Sequence, residues 1–420
     1  MATVQSRVLG LPEVPWIVLP HPIGGTPLAS VLSKVDAVFE QIVARLTTPL
    51  PRTTAATQAA RAARVEIACD DEWADLQREF VRRGWSDGLP IVPPTEARVR
   101  AMLRLAGRPA TDVVALLPPA MGATTVELIA INAVMAGCSP IHMPLLITAL
   151  EAIAQPPFNL HGIQVTTHCV SPLLIVSGPL AAAMNIRGGA GMFGPGPWSN
   201  GVVGRALRLL LLNAGGAKPV EIDKSTMGHP AKFSFVMAED EAASPWSSLR
   251  EDRGHSGEIS TVTLVGAEGP HNINDHESTT AEGLLTMIAS SMAQPGQNNV
   301  YYAAEPLLIL SPEHAATLAE GGASKDSIRQ YLFEQARIPL SRFSRENIER
   351  RMWRKFPDLY AGAGPDVGVR VAQCPQDIML VVGGGPGKHS MYVPTFGGTR
   401  SVTLPITHPD GRPVLPGDLR

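Results

Sequence analysis

The sequence has few charged residues and no long hydrophobic run, and each shortage excludes a class of protein. Charged residues make up 17% of the 420 residues, against about 25% in an average soluble protein. The net charge is −3, so the chain lacks the basic surface typical of nucleic-acid binding. No apolar run approaches the roughly 18 residues of a membrane-spanning helix. We therefore expect neither a nucleic-acid partner nor a membrane span.

Cysteine is also scarce, and its spacing excludes a disulfide framework. The four cysteines are far apart, with no CxxC pair: Cys69, Cys138, Cys169 and Cys374. This usage is typical of the reducing cytosol. The first residues show no compact apolar segment with a cleavage site, so no secretory signal is expected. Low charge density with 45% hydrophobic residues indicates extensive burial and a homo- or hetero-oligomer. We expect a cytoplasmic protein.

The order of predicted elements favours an α/β fold with mixed α+β order. We expect a small N-terminal α/β fragment, a linker, a large main domain and a C-terminal tail, at 1–50, 51–65, 66–408 and 409–420. Amphipathic periodicity and caps predict helices at 121–137, 141–154, 199–214, 278–292, 312–320 and 325–337. β-Branched apolar runs predict strands near 162–170, 172–177, 231–238, 260–266, 300–310 and 378–383. No internal repeat is found at a fixed period.

A first glycine-rich segment contains a GxGxxG pattern at Gly189, Gly191 and Gly194. A dinucleotide site needs a strand just before this pattern and a helix at its last glycine. Here prolines follow and the nearest strand-like run ends near Ser177, so no nucleotide is expected. Two interpretations stay open. Ser199 or Asn200 begins a helix whose first N–H groups and Arg205 hold a carboxylate or phosphate, or the segment is a plain turn.

A second glycine-rich segment, 383–390, follows a strand-like run. It is not a phosphate-binding Walker A loop, because Val382 stands where a glycine is required and His389 follows Lys388 where Ser or Thr is required. The segment still presents Lys388, His389 and Ser390, which suit an anion nest and a general acid. A structural turn explains the glycines but not these three side chains.

Histidine is the most informative residue type. Six histidines lie in polar or glycine-rich contexts: His161, His168, His229, His271, His276 and His389. Their spacing gives no local metal motif, and there is no HExxH. Imidazole suits acid–base work as well as metal binding, so both roles stay open, as does a structural role for any single histidine.

The sequence predicts a distribution of roles among these residues. We expect catalytic groups at His271, His389, Asp275 and His161. Substrate contacts are expected at Lys388, Ser390, Arg205, Asn272 and Asp87. Metal ligands, should a transition metal be present, are expected at His168, His229 and His276. A routine turn role is the alternative for Asp87.

Several ordered motifs resemble those of a poorly characterised bacterial family. Its members are often encoded beside, or fused to, UGSC-type (seleno)proteins, named for a Sec/Cys-Gly-Ser-Cys motif. The motifs are Trp85–Pro90, Ala130–Cys138, Asn159–Gly162, Gly228–Pro230, Gly269–Asn272 and Gly387–Ser390, and the resemblance covers roughly 66–408. The resemblance implies a bacterial cytosolic enzyme component and leaves its substrate and reaction open.

The first 50 residues are similar to the end of a UGSC module. The similarity lies in Leu19–Gly25 and the predicted helix after it, but the cysteines of the naming motif are absent, since no cysteine precedes Cys69. If that module works by thiol or selenol chemistry, the chain needs a separate Cys- or Sec-containing partner. We therefore expect an enzyme, or a substrate-binding subunit of one, that acts on a small polar, anionic substrate through a histidine-rich site. The alternative is a non-catalytic subunit of a complex with that partner.

Overall fold

The computed structural model describes residues 16–20, 23, 26–47 and 73–420. The predicted linker at 51–65, Cys69 and most of the His21–Gly25 motif lie outside the described residues. Within them the protein is a mixed α/β fold with several sheets among helices, which confirms the predicted fold class. Among the described residues, none of the helices is both long and apolar enough to cross a membrane.

The helices and strands follow one another in mixed order. The helices are α1 (Leu28–Asp36), α2 (Phe39–Thr47), α3 (Trp73–Arg82), α4 (Glu96–Leu103), α5 (Val126–Ala136), α6 (Met143–Ile153), α7 (Leu160–Val165), α8 (Leu180–Ala183), α9 (Trp198–Asn213), α10 (Leu249–Asp252), α11 (Ala281–Met292), α12 (Pro312–Glu320), α13 (Lys325–Gln335), α14 (Arg345–Asn347), α15 (Trp353–Lys355) and α16 (Pro357–Tyr360). The strands are β1 (Val113–Leu117), β2 (Gly122–Thr125), β3 (Ser171–Ser177), β4 (Val236–Ala238), β5 (Thr261–Ala267), β6 (His271–Asn274), β7 (Leu307–Leu310), β8 (Arg337–Pro339), β9 (Gly368–Arg370), β10 (Met379–Val382), β11 (His389–Val393) and β12 (Val402–Pro405).

Two four-stranded sheets organise the main body. The first has the strand order β12-β5-β3-β4 and the second has the order β10-β7-β11-β6. In the first sheet β3 and β4 are parallel and the other neighbours are antiparallel. In the second sheet β7 and β10 are parallel and the other neighbours are antiparallel. The two sheets therefore share one pattern of pairing.

The two sheets pack face to face and carry helices on their outer faces. Side chains alternate along a strand, so β3 presents Leu173 and Ile175 to the apolar layer between the sheets. Its other face presents Leu174 and Val176 to the core under α5, α6 and α9. The side chains of strand β7 alternate in the same way, so that one face contacts the inner layer and the other contacts a core under α11, α12 and α13. Strands buried on both faces read as continuous apolar runs, which is why the sequence reveals them.

The chain crosses twice between the two sheets, and β12 of the first sheet comes after all the strands of the second sheet. The chain leaves β5 in the first sheet, crosses to the second and forms its edge strand β6. After β11 it crosses back and forms the edge strand β12 of the first sheet. The crossing segments meet in one antiparallel bridge between Ala267 and Thr395. The two sheets thus repeat one arrangement of strands, although the sequence contains no repeat at a fixed period.

Most predicted helices and long strands are confirmed, but the strand predicted at 162–170 is wrong. Residues 160–165 form the short helix α7. The Asn159 side chain accepts a hydrogen bond from the N–H of Gly162 at 3.2 Å and so caps this helix. An N-cap supplies an acceptor for an otherwise unpaired helical N–H, which outweighs the strand propensity of Ile163 and Val165.

Two further expectations about local structure are wrong. Ser199 and Asn200 do not cap α9, because the helix begins at Trp198 and both side chains lie inside the protein. His389 and Ser390 are not in a free turn, because they begin strand β11. Residues 409–420, set apart above as a tail, contribute the buried side chains Val414 and Leu419 to the core of the first sheet.

Candidate functional site

The chemistry-bearing residues gather in two places, at the start of β3 and beside the edge strand β6. We call the first the β3 site, defined by His168, Cys169, His229, Lys232 and Glu268. We call the second the edge cluster. Its members are Asn272, Asn274, His276, Lys388 and His389. Residues that meet in one of these places are up to about a hundred positions apart in the sequence.

An imidazole–carboxylate pair lies at the centre of the β3 site. Nε2 of His168 lies 3.1 Å from Oε1 of Glu268, and the side chains are 19% and 17% exposed. The N–H of Val170 donates to Nδ1 of His168 at 3.1 Å. Nδ1 therefore carries a lone pair, and the proton of the neutral ring lies on Nε2, where it is donated to Glu268. The N–H of Asn298 donates to the same Glu268 oxygen at 2.9 Å.

The two chain segments that cross between the sheets, after β5 and after β11, position this pair. Glu268 follows β5 directly, beside the bridge between Ala267 and Thr395. Phe396 follows the other crossing segment, and its ring stacks on His168 with centroids 5.0 Å apart and planes 30° apart. The pair is thus held on one side by backbone N–H groups and on the other by an aromatic face.

The β3 site contains donor atoms of the kinds that bind metal ions. One ligand atom each from His168, Cys169 and Glu268 lie within 4.8 Å of one another, and this N, S, O set suits zinc. A histidine that binds a metal through one ring nitrogen donates its other N–H to an acceptor. In His168 that other nitrogen faces the N–H donor of Val170. The ring position therefore disfavours a metal and favours a proton-carrying pair.

The thiol and the second imidazole of the β3 site are both held neutral. Burial raises the pKa of the Cys169 thiol, and the Glu268 carboxylate raises it further. Burial lowers the pKa of His229, and the Lys232 ammonium lowers it further. Nε2 of His229 is buried without a hydrogen-bond partner among the described residues. A neutral imidazole with an unbonded ring nitrogen can act as a base, whereas a structural imidazole has both nitrogens bonded.

Two cations border the β3 site and share a single carboxylate. Nζ of Lys232 lies 2.8 Å from Asp223, and a terminal nitrogen of Arg208 lies 3.4 Å from the same side chain. Burial raises the pKa of Asp223, but the hydrogen bonds from Lys232 and Ser225 and the charge of Lys232 together outweigh burial, so the net pKa is lowered. These three groups carry one net positive charge and the Glu268 carboxylate of the β3 site carries one negative charge, so it is the end of the site near Lys232 and Arg208 that favours an anionic ligand.

A small cavity adjoins these cations. It measures about 20 Å³ and its lining includes Arg208, Lys232 and Gln164, which gives room for about one water molecule. Gln164 is 3% exposed, and its Oε1 has no partner among the described residues. The cavity therefore has a donor on one side and an unmet acceptor on the other.

A hydrogen-bonded chain beneath the edge cluster resembles a catalytic triad in composition only. Nε2–H of His314 donates to the backbone carbonyl of Asp275 at 3.1 Å, so Nδ1 accepts from the Ser390 hydroxyl at 2.7 Å. The N–H of Ser311 donates to the same hydroxyl at 3.0 Å. Ser390 is 1% exposed and Asp275 is 7% exposed. Both side chains are therefore buried, and Oδ1 of Asp275 accepts from the N–H groups of Glu277 and Ser278, so the expected substrate contact at Ser390 and catalytic role of Asp275 gain no support from this geometry.

The remaining predicted residues lie apart from both places or pair with each other. Arg205 and Asp87 form a two-point ion pair, so neither offers a free group to a substrate. His161 lies in the first turn of α7 and His271 on β6, both exposed and without a hydrogen bond to a described residue. The predicted metal ligands divide, since His168 and His229 belong to the β3 site and His276 to the edge cluster.

The sequence alone gave no reason to single out Glu268, Lys232 or His314. Glu268 carries one signal that was available, a carboxylate placed directly after a fully buried strand and before Gly269-Pro270. Comparison with family models, with curated proteins and with solved structures gives no match to this chain.

Proposed function

We propose that the protein is an enzyme that moves a proton on a small anionic substrate, with Glu268 as the base. One observation carries the proposal. His168 and the N–H of Asn298 both bind Oε1 of Glu268, whereas Oε2 has no partner among the described residues and the side chain stays 17% exposed. A carboxylate with one oxygen fixed and the other free is oriented for proton abstraction.

In this proposal the neighbouring residues have distinct roles. His168 is a positioning residue, because both of its ring nitrogens are already bonded. His229 stays neutral and its buried Nε2 has no partner among the described residues, so its role in this proposal is to accept a second proton. Cys169 stays a thiol rather than a thiolate, so it is not the nucleophile. We place the reaction in the cytosol, where free thiols persist.

The substrate side of the proposal rests on Lys232 and Arg208. Their shared partner Asp223 leaves one positive charge in excess, which attracts a carboxylate. The substrate gives up a proton from the carbon or oxygen next to that carboxylate. Oε2 of Glu268 takes the proton, and the electron pair stays on the substrate. Returning the proton at another position completes an isomerisation or an exchange.

The test measures proton exchange and binding separately. Pyruvate and malonate serve as probes in D₂O, with deuterium uptake followed by proton NMR and binding followed by calorimetry. Glu268→Gln should bind the probe and lose exchange, whereas Lys232→Met should weaken binding by about tenfold or more. Lys224→Met is the matched control, because Lys224 is exposed and its Nζ donates to the carbonyl of Val220, whereas Nζ of Lys232 donates to Asp223. Unchanged exchange in Glu268→Gln would contradict the proposal.

A second candidate is assembly with a Cys- or Sec-containing partner. The observation that favours it is the exposure of apolar side chains on α1 and α2, among them Leu32, Phe39 and Leu46. Isolated exposed apolar residues are common, but a run of them along helices marks a contact surface. Light scattering after chromatography tests this candidate, since Phe39→Glu and Leu46→Glu should reduce the mass of any assembly.

A further inference from the structure

The edge cluster holds a geometry that the β3 site lacks. Nε2 of His276 lies 3.2 Å from Nε2 of His389, and the ring planes cross at 78°. Two imidazole nitrogens bound to one tetrahedral ion, each about 2.0–2.1 Å from it, are separated by a similar distance. Both rings are exposed, so an ion can reach the gap between them.

The strands bring ligand-type side chains to one face. Side chains two residues apart along a strand share a face, so Asn272 and Asn274 lie on one side of β6, and His276 continues that series beyond its end. His389 is the cross-strand partner of Asn274 on β11, and directly paired residues share a face. Two imidazoles and two amides thus converge without relying on any loop closure.

One ring is already oriented as a ligand. Nδ1 of His389 lies 3.2 Å from Oδ1 of Asn272, so Nδ1–H donates to the amide and the lone pair of the neutral ring lies on Nε2, which faces His276. This is the arrangement found around bound metals, where the second ring nitrogen donates to an outer acceptor. His168, whose second nitrogen accepts a bond, has the opposite arrangement.

We propose that His276 and His389 form a binding site for a transition-metal dication that prefers imidazole, with zinc, nickel and copper(II) as the class. The main ligands are neutral imidazole nitrogens and include no carboxylate, so magnesium and calcium, which prefer oxygen ligands, are disfavoured. Water and the amide of Asn274 complete the coordination. The site is independent of the proton-transfer function proposed for the β3 site.

Such an ion joins the edge strand β6 to its neighbour β11. His276 follows β6, which enters the second sheet from β5, and His389 begins β11. A ligand that binds only the folded state stabilises it. The ion therefore fastens β6 to β11. Lys388 opposes binding through its charge, because its Nζ donates to the backbone carbonyl of His276 at 2.9 Å.

The experiment measures zinc binding by calorimetry and copper(II) binding by electron paramagnetic resonance on the full chain. We expect one zinc per chain, a copper spectrum with two nitrogen ligands, and at least about tenfold weaker zinc binding in His276→Ala and in His389→Ala. Lys388→Met should tighten binding. His271→Ala is the matched control, since it removes an exposed histidine from the same strand.

Three results would overturn the proposal. The first is wild-type protein that binds no zinc or copper. The second is equal loss of binding in His271→Ala, which would show unspecific capture by surface histidines. Cys169→Ser separates this site from the β3 site, because binding that disappears in that variant belongs to His168, Cys169 and Glu268. That last result also overturns the metal assignment made here and contradicts the ring argument for His168.

Discussion

Arg205 and Asp87 form a two-point ion pair across 118 residues of chain. Nε of Arg205 lies 2.8 Å from Oδ2 and a terminal nitrogen lies 2.9 Å from Oδ1. The side chains are 15% and 4% exposed, and Arg205 also donates to the carbonyl of Leu89 at 3.1 Å. The pair fastens the loop after α3 to α9, so both residues act in the fold rather than on a substrate.

Breaking this pair should destabilise the protein strongly. Asp87→Ala leaves a largely buried guanidinium without its counter-charge, which costs about 3 kcal/mol in unfolding free energy. Arg205→Lys keeps the charge and loses the two-point geometry, so it should cost less. Urea unfolding followed by circular dichroism measures both. Arg100→Ala is the control, because its pair with Glu96 is exposed and worth at most about 1 kcal/mol. A cost below that of Arg100→Ala would contradict the assignment.

The buried carboxyl of Glu239 should make stability depend on pH. Burial raises its pKa to about 7, against the bonds from Ser177 and Leu249 that lower it. A pKa raised in the folded state adds stability below the ordinary value of 4.5 and loses it as the pH rises through about 7. Glu239→Gln does not titrate. Its stability relative to wild type should therefore improve between pH 5 and pH 8, and a constant difference in urea midpoints across this range would be evidence against the assignment.

The Ser390–His314 chain should prove structural. Ser390→Ala leaves the N–H of Ser311 and Nδ1 of His314 buried without partners, which costs about 1–3 kcal/mol for each unmet group. Thermal unfolding measures the loss. The folded variant should still exchange deuterium into pyruvate if Glu268 is the base. Ser401→Ala, which removes a hydroxyl just before β12 that accepts an exposed hydrogen bond from Arg253, should change stability by less than about 0.5 kcal/mol.

The sequence predicted those elements whose signals are local. Ser311 and Ser324 accept bonds from the N–H groups three residues later and begin α12 and α13 as expected. Strands β3 and β10 are buried on both faces, so each is visible as an apolar run. Strand β6 is short and mostly exposed, and it has no such pattern.

The candidate site depended on relations that the sequence does not display. His168 and Glu268 are 100 residues apart, and they meet because the chain crosses between sheets after β5. The expectation of histidines as acid–base groups remains a proposal for His229, whereas His168 is proposed to position Glu268. Neither the crossing nor the unmet nitrogen of His229 is encoded in residue spacing, so the carboxylate partner was missed.

The reactivity of Cys169 tests the electrostatics of the β3 site. Burial raises the pKa of its thiol, the Glu268 carboxylate raises it further, and the Lys232 ammonium opposes both. Only the thiolate reacts with iodoacetamide. Glu268→Gln should therefore increase the alkylation rate at pH 8 by about two- to tenfold, and Lys232→Met should decrease it. Mass spectrometry of the digested protein follows Cys169, with the Cys374 peptide of the same digest as an internal control. If both variants changed the rate in the same direction, altered access rather than charge would control the thiol, and the placement of Glu268 and Lys232 around it would be wrong.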